Sequence, residues 1–190
     1  NLGKCVNQYQ IKKGWTVKDK QIAIKNRNKD MLFQAIRNNI LPFEMDVDKE
    51  WLMDKAMQET RKQFYHHGKE KIEGYTFAHI NYPELLPIAK SHFGINIQGK
   101  FNMKFVYIAP NTKIKWHKDW GTKCAFNWII NDNSAKVSFR NGNFKYKSAI
   151  LNTQAEHMVQ NNDKERILFK ISLFDTSYED TCKKFITQFM

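Results

Sequence analysis

Between Phe101 and Phe174 the chain breaks into eight short segments of strand-like composition, and that spacing constrains the fold more than any other feature of the sequence. The segments are Phe101 to Ala109, Ile114 to Lys118, Lys123 to Asn131, Lys136 to Arg140, Phe144 to Lys147, Ala149 to Leu151, Glu156 to Val159 and Arg166 to Phe174. Each is aromatic or β-branched, and turn formers such as Asn131-Asp132-Asn133 and Asn141-Gly142-Asn143 lie between them. Many short, closely spaced strands of this kind predict a jelly roll or a barrel-like sandwich.

The first half has a different texture. Residues 1–30 are polar and rich in Lys and Asn, with short apolar pieces at Val6 to Ile11 and Ile22 to Ile24, and predict a strand or two or a loosely packed lead-in. Asp30 is placed to cap a short helix carrying Leu32, Phe33 and Ile36, which Leu41-Pro42-Phe43 ends. A clearer helix begins at Asp46 or Asp48, with Met53, Met57, Thr60 and Phe64 as one stripe and Gly68 and Gly74 closing the segment. Another is predicted from Pro83 to His92, with Gly94 as its stop. At the C-terminus Ser177 and Asp180 form a capping box ahead of a face made by Tyr178, Cys182, Phe185, Ile186 and Phe189. The expected architecture is a single α+β domain spanning residues 1–190. Residues 1–99 are rich in helices that pack on one sheet, residues 100–175 form a β-sandwich, and residues 176–190 form a C-terminal helix.

Composition narrows the function classes. No run approaches 18 apolar residues, so no membrane-spanning helix is expected, and the first residues lack the apolar core of a secretion signal. Cys5, Cys124 and Cys182 are scattered, which argues for reduced thiols in a cytoplasmic setting and against a disulfide scaffold or zinc finger. A net charge of +12 invites a nucleic-acid partner. That reading is not favoured, because the lysines are spread along the chain, alongside abundant Asn and Ile of the kind an A/T-rich coding sequence produces.

The chemistry concentrates in Trp116-His117-Lys118-Asp119, answered later by His157 and Arg166. A His-x-Asp pair puts imidazole and carboxylate on one face of an extended strand. A distal histidine completes the two-His, one-carboxylate set that holds non-haem Fe(II) with open positions. Arg166 lies nine positions beyond His157 and opens the most apolar strand, Arg166 to Phe174, where a charged side chain needs a partner. A bidentate carboxylate would be one.

The order His-x-Asp, distal His, then Arg on the next strand resembles the 2-oxoglutarate/Fe(II)-dependent oxygenase superfamily over Tyr107 to Asp175. Within it the closest likeness is to the aspartyl/asparaginyl β-hydroxylase-like branch, in which a His-x-x-x-Asn run like His157 to Asn161 precedes the cosubstrate Arg; the prolyl hydroxylases share the iron triad but often use Lys for the clamp. The resemblance implies a double-stranded β-helix (jelly-roll, cupin-like) core. It also implies that His117, Asp119 and His157 bind Fe(II) and that Arg166 meets the distal carboxylate of 2-oxoglutarate. With O2 as cosubstrate, and ascorbate as a stimulant, such an enzyme hydroxylates a substrate and releases succinate and CO2. The implied substrate is an amino-acid side chain, free or in a peptide.

Asn127 interrupts an apolar strand face and Tyr107 offers a hydroxyl, so both are candidates to touch the cosubstrate. Trp116, Trp120 and Trp128 are candidates to wall the pocket, and Lys170, of the same parity as Arg166, is an alternative clamp. Two other readings stay open: an oxidative demethylase of nucleic acid from the same superfamily, and a cupin-like metal- or ligand-binding module without turnover. Nothing in the chain supports a serine-hydrolase elbow or a Gly-rich phosphate loop. His66-His67 is read as a helix end, and His79 and His92 stand alone.

Overall fold

The computed structural model describes residues 16–44, 47–66, 70–82 and 100–190. Helix α1 (Val17–Asn38) is followed by strand β1 (Ile40–Pro42) and helix α2 (Lys49–Gln58). Strands β2 (Lys62–His66) and β3 (Glu70–Ile80) precede the run β4 (Phe101–Ile108), β5 (Lys113–His117), β6 (Cys124–Ile129), β7 (Lys136–Phe139), β8 (Gly142–Phe144), β9 (Ser148–Leu151), β10 (His157–Gln160) and β11 (Arg166–Leu173). Helix α3 (Tyr178–Phe189) ends the chain. The strands form a seven-stranded sheet, ordered β1-β9-β6-β11-β4-β3-β2, and a four-stranded sheet, ordered β5-β10-β7-β8. All pairings among the described residues are antiparallel. This is an α+β fold with a double-stranded β-helix core.

The large sheet has two buried faces, and the alternation of strand residues decides what each receives. On one face Phe105, Tyr107, Phe126, Trp128, Phe169 and Ile171 pack under α1, α2 and α3. On the other, Val106, Ile108, Ile129, Ala149 and Leu168 meet Ile114, Val137 and Phe139 of the small sheet. Helix α3 is held as its sequence predicts: the Ser177 hydroxyl accepts from the Asp180 amide at 3.1 Å, and Tyr178, Cys182, Phe185 and Ile186 are buried. Phe185 packs against Phe43 and Phe126 with ring centroids 4.8 and 6.1 Å apart.

All eight strand segments expected after residue 100 are present; β8 covers Gly142–Phe144 instead of running on from Phe144 to Lys147. The first half departs from expectation. Residues 17–38 form one helix, not a lead-in followed by a helix capped at Asp30. A capping box at Thr16 starts it, with the Thr16 hydroxyl accepting from the Asp19 amide at 3.2 Å. It buries Ala23, Met31 and Ala35 while Val17, Ile22, Ile24, Phe33 and Ile36 stay exposed, so its apolar residues do not mark the buried face. Helix α2 starts at the Asp48 cap as expected but buries Leu52 and Ala56, leaving Met57 62% exposed, and it stops at Gln58. Thr60 therefore follows the helix, and Phe64 and His66 belong to β2. Strand β3 was not anticipated: Gly74 sits inside it at φ 77°, where a Cβ would collide with the Thr112 hydroxyl. The helix expected from Pro83 to His92 lies outside the described residues, as do Val6 to Ile11, Cys5 and His67. No helix among the described residues is long and apolar enough to cross a membrane.

Phe185 is 1% exposed at the junction of α3 and the large sheet. Phe185→Ala is expected to lower unfolding free energy by about 3–5 kcal/mol, read from the denaturant midpoint at constant m-value.

Candidate metal centre

Antiparallel pairing of β5 with β10 sets His157 directly opposite His117. The two rings lie with centroids 4.3 Å apart. Asp119 follows β5 in a loop pinned by its own backbone: its amide donates to the Thr153 carbonyl at 2.9 Å, and its carbonyl accepts from Gln154 Nε2 at 3.0 Å. Thr153 in turn donates to the Thr122 carbonyl at 2.8 Å. The connection that leads into His157 therefore also positions Asp119.

Asp119 Oδ1 lies 3.3 Å from His117 Nε2 and 3.6 Å from His157 Nε2. One donor atom from each of the three residues falls within 4.8 Å of the others. The opposite ring nitrogens are already engaged: His117 Nδ1 donates to the Lys115 carbonyl at 2.7 Å, and His157 Nδ1 to the Ala155 carbonyl at 2.9 Å. A carbonyl only accepts, so the proton of each neutral ring sits on Nδ1 and the Nε2 lone pair faces the carboxylate. Burial pushes His157 down to about 4, against the pull of Asp119. Burial pushes Asp119 up, but the Lys170 ammonium outweighs it and holds the carboxylate well below its usual range. Two imidazole Nε2 atoms and one carboxylate oxygen thus converge on a point, which fits a divalent cation.

Lys170, on β11, donates to Asp119 Oδ2 at 2.9 Å. It is buried between Asn127 of β6 and Lys104 of β4, its direct register partners. Burial and the Lys170 charge push Lys104 down to about 8, while Asp119 pulls the other way. Tyr75 of β3 is raised to about 12 by burial, offset in part by Lys170. Sequence reading did not single out Lys104, Tyr75 or Tyr146. Lys104 shares strand parity with Val106 and Ile108 of the interior face, the one signal that could have drawn attention to it.

Arg166 is 1% exposed on the same inner face, two register positions from Leu168 and four from Lys170. Its Nη1 donates to the Ala135 carbonyl at 3.1 Å, and its guanidinium carbon lies 5.2 Å from the centre of the Tyr146 ring. Asn127 donates to the Tyr146 hydroxyl at 3.2 Å. Arg166 Nε and Asn127 Oδ1 are buried with no hydrogen-bond partner among the described residues. Both residues thus face the interior between the sheets.

Tyr107 does not. It lies on the helix-side face of β4, where its hydroxyl donates to the Ala56 carbonyl and its ring lies 3.8 Å below the Arg61 guanidinium. Strand alternation turns it away from the interior face that carries Lys104 and Val106. Trp128 is likewise a helix-side core residue, Trp120 is 89% exposed, and Trp116 lies beneath Arg140 at 4.0 Å. Asn161, of the His-x-x-x-Asn run, is a backbone staple: its amide donates at 2.9 Å to the carbonyls of Ile108, Ala109 and Lys164. A cavity of about 770 Å³ lies between β3 and the β4–β5 turn, lined by Lys71, Gly74, Pro110 and Thr112, and none of the three metal-site residues borders it.

No protein-family model and no curated protein matches this sequence. Solved structures do match. A prolyl-4-hydroxylase of Pseudomonas putida is 10% identical, with a TM-score of 0.59 over 77% of this chain and 98% of that one. A prolyl hydroxylase of Trichoplax adhaerens, in complex with a hypoxia-inducible-factor oxygen-degradation-domain peptide, is 10% identical, with a TM-score of 0.60 over 87% of this chain and 94% of that one. A 2OG-Fe(II) oxygenase-family oxidoreductase of Burkholderia pseudomallei is 11% identical, with a TM-score of 0.53 over 76% of this chain and 88% of that one. The chain shares the fold of these oxygenases.

The depressed His157 makes the metal-free protein acid-sensitive. In the unfolded chain this group titrates near 6.5 and in the fold near 4, so as pH falls through that window the unfolded state takes the proton first. Stability is therefore full above the higher value and declines below it. A loss of about 1–2 kcal/mol is expected between about pH 6.5 and pH 5, measured by denaturation in chelator, with a flatter profile for His157→Asn.

Proposed function

We propose that this chain is an Fe(II)- and 2-oxoglutarate-dependent dioxygenase that hydroxylates an amino-acid side chain, free or in a peptide. The observation that carries the reading is the convergence of His117 Nε2, His157 Nε2 and Asp119 Oδ1, with both Nδ1 atoms already committed to backbone carbonyls. His117, Asp119 and His157 would hold the metal. When bound, Fe(II) with 2-oxoglutarate and O2 supplies the oxidising power that inserts oxygen into a C–H bond, with succinate and CO2 as coproducts. The protein supplies binding and orientation.

Arg166 is the proposed partner of the distal carboxylate of 2-oxoglutarate. It is a permanent cation inside an apolar sandwich, it carries an unpartnered Nε, and its planar fork matches a carboxylate. Tyr146 lies against its guanidinium, and the unpartnered Asn127 Oδ1 sits one strand away. A buried guanidinium with an unsatisfied donor calls for an anion. Val106, Ile129 and Leu168 exclude water around them and so strengthen each polar contact. Prolyl hydroxylases among the structures of similar fold favour a peptidyl or amino-acid substrate over nucleic acid.

Two measurements test this. The Fe(II)-loaded protein should form succinate slowly from 2-oxoglutarate without added substrate, and His117→Ala should abolish it. If neither succinate nor cosubstrate binding is detected, the chain is a metal-binding module without turnover. Arg166→Ala should weaken 2-oxoglutarate binding by roughly a hundredfold while metal affinity stays within about twofold, as expected for loss of one partner of a buried charge pair. An unchanged 2-oxoglutarate affinity would reject Arg166 as the clamp.

A further inference from the structure

We propose that Lys170 is a positioning residue that reserves one oxygen of Asp119, confining the carboxylate to a single ligand atom and loosening the site's hold on its metal. The proposal rests on the reading of His117, Asp119 and His157 as a metal site. Asp119 divides its two oxygens: Oδ1 faces both histidines at 3.3 and 3.6 Å, while Oδ2 accepts from Lys170 Nζ at 2.9 Å. Carboxylates bind hard cations through one oxygen or two. With Oδ2 occupied by an ammonium, only Oδ1 remains.

The lysine has little freedom to withdraw. It stands on β11, the strand between β6 and β4, and its backbone is paired on both sides, with Asn127 and with Lys104. Stability alone does not account for it. Burying an ion pair seldom gains over an apolar pair of the same volume. Lys104, directly opposite on the same face, adds a like charge, which is unfavourable across a strand pair.

What the arrangement does provide is electrostatic control. A cation at hydrogen-bonding distance from a ligand carboxylate draws charge from it and repels a second cation nearby. Partners that raise a ligand's basicity strengthen metal binding by about 10- to 100-fold, and an ammonium on the carboxylate lowers its basicity, so its effect has the opposite sign. Holding Asp119 to one oxygen also keeps a coordination position available to a chelating cosubstrate.

The test uses metal-free full-length protein and Co(II) as the probe, followed by its visible absorption and by calorimetry. Lys170→Met should bind Co(II) about tenfold more tightly than wild type, Lys170→Arg should match wild type, and Lys170→Gln should fall between them. Co(II)-loaded Lys170→Met should bind 2-oxoglutarate about tenfold more weakly, because the freed oxygen competes for a coordination position. Equal or weaker Co(II) binding by Lys170→Met would overturn the proposal. If that variant does not fold by circular dichroism, the order of Gln against Arg decides, and Gln binding no tighter than Arg overturns it. Failure of every variant to bind Co(II) would overturn both this proposal and the metal site. Co(II) binding without any 2-oxoglutarate binding would instead count against the oxygenase reading and leave the Lys170 assignment to the Co(II) order alone.

Discussion

The structure depends on the way β11 divides its side chains. Every residue of Arg166–Leu173 is buried, yet alternate residues enter different environments. Ile167, Phe169, Ile171 and Leu173 join the apolar core beneath the helices, while Arg166, Leu168, Lys170 and Ser172 face the interior between the sheets. A slip of one residue in the pairing with β4 and β6 would put two cations into the helix-side core and strip them from the interior. The apolar half of the strand therefore holds the polar half in register, and the polar half carries the proposed chemistry.

Asp119 is where that strand meets the metal-site loop. One carboxylate is shared between a lysine from the large sheet and two histidines from the small sheet, so the two layers are joined by charge as well as by the packing of Val106, Ile129 and Leu168 against Ile114, Val137 and Phe139. The ion pair keeps the carboxylate ionised in a partly buried place. Backbone bonds to Thr153 and from Gln154 hold the loop, so the ligand atoms are positioned by main chain and not by side-chain packing alone. Such double support is what a preorganised donor set requires.

The β half was legible because its signals are local. Short aromatic and β-branched runs between Asn- and Gly-bearing turns do not depend on distant residues, and neither does the Ser177 cap of α3. His117, Asp119 and His157 were legible for a related reason: a His-x-Asp pair and a later histidine restrict where a metal can lie, whatever surrounds them. Of helix α1 only the second half was legible, because the helix buries Ala23, Met31 and Ala35 while Val17, Ile22, Ile24, Phe33 and Ile36 are exposed, and its apolar residues follow no buried stripe. Strands β2 and β3 were hidden because β3 gains its stability from pairing with β4, which sets Tyr75 against Ile108 and Thr76 against Tyr107 across a long stretch of intervening chain. Propensity alone reads such a stretch as an extension of the preceding helix.

By itself the sequence determined the eight strand segments after residue 100, the donor residues of the candidate metal centre and the presence of a cation on the last strand. Those follow from alternation, turn chemistry and the small set of side chains able to ligate a metal. Tertiary structure decided which face each side chain occupies. It turned Tyr107 toward the Ala56 carbonyl, brought Lys170 to the second oxygen of Asp119, and left Arg166 facing Tyr146 with an unsatisfied nitrogen. Register and layer assignment come from long-range pairing and burial, and no local stretch of sequence carries that information.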